Sequence, residues 1–105
     1  MATTLPANIL NTVAGSLVAT QKFATVDDAL WELARTAIRG KVNHYRRRIR
    51  RFENKYGMDF DTFSARLKGR ATPAEEDDWL AWKSAQRMVA DWQKAYQDLV
   101  HAQAR

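Results

Sequence analysis

The chain has 105 residues, 46% of them hydrophobic and 28% charged, a size and composition that suit one small folded domain and leave little room for a large catalytic cleft. It has no cysteine, which excludes disulfide scaffolds, cysteine-ligated zinc and thiol nucleophiles together and is compatible with a reducing cytoplasm, the expected compartment. The net charge of +5 is uneven: residues 1–57 carry ten Lys/Arg against four Asp/Glu, whereas residues 58–105 carry seven against eight. The amino-terminal half should therefore meet something anionic, either a partner such as nucleic acid or the acidic part of its own chain.

The opening "MATTLP" reads as extended, because Thr3 and Thr4 are β-branched and Pro6 biases Leu5 away from the α region. Pro6 then suits the first turn of a helix, and Ile9, Val13, Leu17 and Val18 give it one apolar stripe from about Ala7 to Thr20. Asn11, Thr12 and Ser16 interrupt that stretch, so it reads as neither a signal peptide nor a membrane span. After "QKFAT", Thr25 with Asp28 three residues on resembles a capping box, and Asp27 and Asp28 favour the positive end of a helix dipole.

From Val26 an apolar series passes through Leu30, Leu33, Ala37, Ile38, Val42, Tyr45, Ile49, Phe52 and Tyr56 in steps of mostly three or four. As one helix it would be ~45 Å long at ~1.5 Å per residue. Gly40 is its weak point, since an interior glycine costs ~1 kcal/mol relative to alanine and can mark a bend or a boundary. Gly57 supplies the stop. A short helix follows in "MDFDTFSARLKG", with Phe60, Phe63 and Leu67 on one face and Gly69 closing it. "TPAEEDDW" then combines Thr72 as cap, Pro73 in the first position, Glu75 for a capping box and a run of acids. The last helix carries Trp82, Ala85, Val89, Trp92, Tyr96 and Leu99, the spacing of a coiled-coil seam. Two long helices with matching seams, joined through a short one, predict an antiparallel helical hairpin in a mainly α protein that is expected to form a homodimer.

Residues 1–39, with "TTLP", a helix, "ATQKFAT" and "VDDALWELARTAIR", resemble ribbon-helix-helix antitoxins of the ParD-like group. The resemblance covers about a third of the chain. It implies that strands from two subunits pair into a ribbon in the DNA major groove, with Thr3 and its neighbour Thr4 as base-reading candidates. It further implies that Thr25 and the Val26 amide hold a phosphate at a helix start. The strand is short and lacks Arg, Lys, Asn and Gln, and Asp27 and Asp28 stand where the phosphate would be. On this reading residues 1–39 form a dimerisation and DNA-binding element, and residues 40–105 a partner-binding hairpin. Without DNA contact, residues 1–25 would simply be a helix packed on the hairpin.

"HYRRRIRRF", residues 44–52, sets five arginines around the buried positions Tyr45, Ile49 and Phe52. Arg46, Arg47, Arg50 and Arg51 are the candidates for phosphate contacts. Alternatively, Arg47, Arg51 and Lys55 could face the acids Glu75 to Asp78 across the hairpin in surface salt bridges worth ~0.2–1 kcal/mol each. Trp79, Leu80, Trp82, Trp92 and Tyr96 exceed one stripe; most such aromatics are core, but the surplus can anchor a protein partner. His44 and His101 are isolated, Asp59 and Asp61 are explained by capping, and there is no phosphate loop or nucleophile motif. No catalytic residue, metal or cofactor is therefore expected. The expectation is an antitoxin-like protein that binds and neutralises a cognate toxin and also binds duplex operator DNA, with no membrane role. The alternative is a helical-hairpin adaptor or self-associating structural protein that does not bind DNA.

Overall fold

The computed structural model describes residues 7–20 and 23–104, which fold into four helices: α1 (Ala7–Ala19), α2 (Val26–Tyr56), α3 (Phe60–Leu67) and α4 (Pro73–Gln103). There is no strand among the described residues, and the extended segment expected at Thr3 and Thr4 lies outside them. No described helix is long and apolar enough to cross a membrane.

Four helix boundaries have a clear local cause. Thr25 caps α2 by accepting the Asp28 amide at 3.0 Å, and Asp59 caps α3 by accepting the Thr62 amide at 2.8 Å. At α4 the capping box is reciprocal: the Thr72 hydroxyl accepts the Glu75 amide at 3.2 Å, and the Glu75 carboxylate accepts the Thr72 amide at 3.0 Å. Gly57 ends α2 in the left-handed region at φ 67°, with its amide on the Glu53 carbonyl. α2 runs unbroken through Gly40, so the boundary drawn there between two elements falls inside a helix. Once α4 covers one side of α2 along much of its length, packing outweighs the local cost of one glycine.

α2 and α4 pack along each other as the two arms of an antiparallel hairpin, α3 closes one end against α4, and α1 lies against α2. Arg35 reaches Gln103 at one end of the hairpin (2.6 Å), and Lys55 reaches Asp78 at the other (2.6 Å). The core is thin. Only Ala14, Ala29, Val42, Phe63, Trp82 and Ala85 are buried among the described residues. Its centre is aromatic: Trp82 stacks on Phe52 at 5.6 Å and lies 5.3 Å from Phe63 and 5.5 Å from Phe60. Tyr45, Ile49 and Phe52, expected to be buried, are half-buried, because a two-helix seam has no third layer over much of its length.

The shape is long, with extents of 58 × 32 × 21 Å and a radius of gyration of 19.1 Å; a compact chain of this length would have a radius near ~13 Å. The accessible surface is 7929 Å², where a compact monomer of this mass exposes ~6,000 Å². Ile9, Leu10, Val13, Val26 and Val100 stay exposed, all on α1 or on the α2 and α4 ends that meet near Arg35 and Gln103.

Candidate functional site

The seam residues of α2 (Val42, Tyr45, Ile49, Phe52 and Tyr56) face α4, and the helical repeat turns the remaining residues of "HYRRRIRRF" outward. Arg46, Arg47, Arg50 and Arg51 are all exposed, and Arg48 is half-buried. None of the five belongs to an ion pair among the described residues. Arg47, Arg50, Arg51 and Asn54 line one shallow surface depression, and His44, Arg48, Arg51, Phe52 and Lys55 line another. On the opposite flank Arg39 and Arg46 stand beside Tyr96. The basic surface thus wraps the solvent side of the helix. Five guanidiniums within six residues lie along only ~8 Å of helix axis, so any polyanion aligned there meets them together.

Among the described residues, the acids of α4 meet this surface in one ion pair, Lys55 with Asp78. Asp78 accepts both the Lys55 ammonium (2.6 Å) and the Tyr56 hydroxyl (2.5 Å). Hydrogen bonds from Lys55 and Tyr56 hold the Asp78 carboxyl below its ordinary value, and the bond to Asp78 raises Lys55. Burial, and then the bond to Asp78, raise Tyr56. Of the pairing expected across the hairpin, Lys55 joins Asp78 while Arg47 and Arg51 do not, because they lie farther around the helix from the α4 seam than Lys55 does. Tyr56 was not anticipated as the third member; the antiparallel register of α2 on α4 is what brings it there.

A second surface lies between α3 and α4. Leu67, Ala71, Trp79 and Leu80 line an open apolar groove of about 500 Å³, with Lys68 and Glu76 also lining it. Ser64 accepts the Trp79 indole N–H at 2.8 Å, Phe60 stacks on the same ring at 5.7 Å, and the Lys83 ammonium sits 5.0 Å from its centroid. Trp79 is therefore fixed in place as one wall, while Leu80 is 59% exposed. Glu75 stands near the Arg66 charge, and hydrogen bonds from Thr72 hold its carboxyl below the usual value.

Trp82 departs from the partner-binding set: it is fully buried within the aromatic cluster and presents no surface. Trp92 and Tyr96 are half-buried along the seam, so most of their area is already used within the chain. Of that set, Leu80 is the exposed member, and the half-buried Trp79 lines the groove beside it. Thr3 and Thr4 lie outside the described residues. The Thr25 oxygen is occupied by the Asp28 amide, and Asp27 and Asp28 put negative charge in the same turn, which disfavours a phosphate there. No group of three or more metal-ligating side chains occurs among the described residues. No protein-family model matches the chain, and no curated protein or solved structure matches it.

Proposed function

We propose that the chain is a cytoplasmic, antitoxin-like binding protein rather than an enzyme. One surface attracts duplex DNA, a second receives a cognate toxin protein, and two copies associate. The observation that carries this reading is the set of five arginines at 46–51, none of which pairs with a carboxylate among the described residues. A helix face of that density is an electrostatic footprint for a phosphate backbone. The α3–α4 groove supports the protein-binding half, because a fixed indole beside an exposed leucine is the kind of anchor on which interfaces concentrate their affinity. The elongated shape and the exposed apolar end support self-association.

The test is DNA binding followed by fluorescence anisotropy at several salt concentrations. Replacing Arg46 and Arg51 together by glutamine should weaken binding to every duplex and flatten the salt dependence by ~0.9 slope units per lost contact. On the protein side, Leu80→Glu should abolish co-purification with the product of a neighbouring toxin gene while leaving DNA binding intact. A wild type without salt-sensitive DNA binding, alone or with its partner, would hand the protein to the adaptor reading, which the α3–α4 groove supports without any DNA.

A further inference from the structure

On the DNA-binding reading above, which this inference rests on, arginines that touch only phosphates supply attraction without sequence. The outward face of α2 carries more than charge. Thr36, Gly40, Asn43, Arg47, Arg50 and Asn54 follow one another at intervals of three or four and are all exposed. With Val42, Tyr45, Ile49 and Tyr56 turned toward α4, Thr36, Gly40, Arg47, Arg50 and Asn54 form the line on the far side of the cylinder, and Asn43 stands at its edge, lining the depression that Arg39 and Arg46 share with Tyr96. Asn and Arg are the side chains that pair in bidentate fashion with adenine and guanine edges in the major groove. Asn43 and Asn54 are not tied into the side-chain hydrogen bonds of α2, which are made by Glu32, Arg35, Arg39, Lys55 and Tyr56.

The flanks fit the same picture. Arg39 and Arg46 lie on one side of the line, and Arg48, Arg51 and Lys55 on the other, so cations border the polar stripe on both edges. A helix ~10–12 Å across enters a B-form major groove ~12 Å wide, and the bordering cations then meet the two phosphate strands.

Gly40 is the independent observation. It weakens the middle of a long helix, and its conformation is ordinary for any residue. A Cβ built there meets nothing of the chain within 4 Å. Among the described residues, no close contact requires a glycine at this exposed point. It lies ~10 Å along the axis from Arg47, and the absence of a side chain leaves the helix backbone there open to close approach.

We infer that α2 is a base-reading helix: Asn43, Arg47 and Arg50 meet base edges in the major groove of duplex DNA, and Gly40 admits the flanking strand. Thr36 and Asn54 mark the ends of the contact. Duplex RNA does not fit, because its deep, narrow major groove excludes a helix.

The experiment uses the full chain and a duplex enriched by the wild type from a random pool, compared with random duplex at several salt concentrations. Asn43→Ala and Arg47→Lys should each lower the preference for the enriched duplex by ~10-fold, one good bidentate contact. The salt slope should stay nearly constant, since neither change removes a charge. Gly40→Ala should move two readouts in opposite directions: the melting temperature should rise by ~4 °C, as for a stabilised small domain, while DNA affinity falls several-fold. A glycine that matters only to the helix would give the rise without the fall, which overturns its part in the inference. Salt-sensitive binding with no preference, a preference untouched in both variants, or tighter binding to duplex RNA would overturn base reading and leave the general DNA face standing. Absence of salt-sensitive binding would remove both.

Discussion

Truncating Trp82 tests the account of the core. The ring is fully buried and in contact with Phe52, Phe60 and Phe63. A buried tryptophan removes ~200 Å² from water, which at ~25 cal/mol/Å² is ~5 kcal/mol, and measured aromatic-to-alanine losses run ~3–5 kcal/mol. A chain of this size has a stability of roughly 5–15 kcal/mol. With so few buried side chains the lower part of that range applies, so Trp82→Ala should leave the monomer barely folded. Trp82→Phe isolates packing from polarity. The indole N–H of Trp82 has no hydrogen-bond partner, so no bond is lost; relief of that unpaired donor offsets part of the volume loss, and the net cost should be at most ~1–2 kcal/mol. Urea unfolding followed by far-ultraviolet circular dichroism gives both numbers, with Leu80→Ser as the exposed comparison, which should change stability by less than ~0.5 kcal/mol. A loss under ~1 kcal/mol for Trp82→Ala would refute an aromatic cluster at the centre of the fold.

Stability should also fall in acid. Asp59, Glu75 and Asp78 all have carboxyls held below their unfolded values by hydrogen bonds from Thr62, from Thr72, and from Lys55 with Tyr56 respectively. Their contribution is complete above the unfolded carboxylate range near 3.8–4.5 and is lost as pH drops through the folded values. Melting temperatures flat from neutral pH to about 5 and falling below about 4 would agree; an unchanged midpoint in strong acid would not. Gly57→Ala should destabilise by ~1 kcal/mol, because alanine is strained at φ 67°, whereas Gly40→Ala should act in the opposite direction; equal effects in urea titrations would contradict the assigned conformations.

The hairpin was legible in the sequence because several local signals agreed. Thr72, Pro73 and Glu75 announced α4, Thr25 with Asp28 announced α2, and Gly57 stopped it, each through a contact spanning only three or four residues. Continuity through Gly40 was not legible, since it depends on packing against α4. The site divided in the same way. Arg46, Arg47, Arg50 and Arg51 could be placed on the exposed side by periodicity alone. That Asp78 would pair with Lys55 and Tyr56 rather than with Arg47 or Arg51 depended on the hairpin register. Trp79 and Trp82 are three residues apart in one helix, yet one lines an open groove and the other is sealed, because α3 brings Phe63 over only the second.

The hairpin also has a built-in order of assembly. Lys55 and Tyr56 close on Asp78 across about two dozen residues, whereas Arg35 meets Gln103 across a separation of 68. Loop closure grows costlier with length, so the aromatic end zips first and pairing spreads away from it. Opening runs in reverse, fraying the arms from the α1 side while the aromatic clasp holds. The arginine run lies on the half of α2 nearer the clasp. A chain loosened at its far end therefore keeps its cationic surface in helical order, and loses first the apolar end on which a second copy would depend.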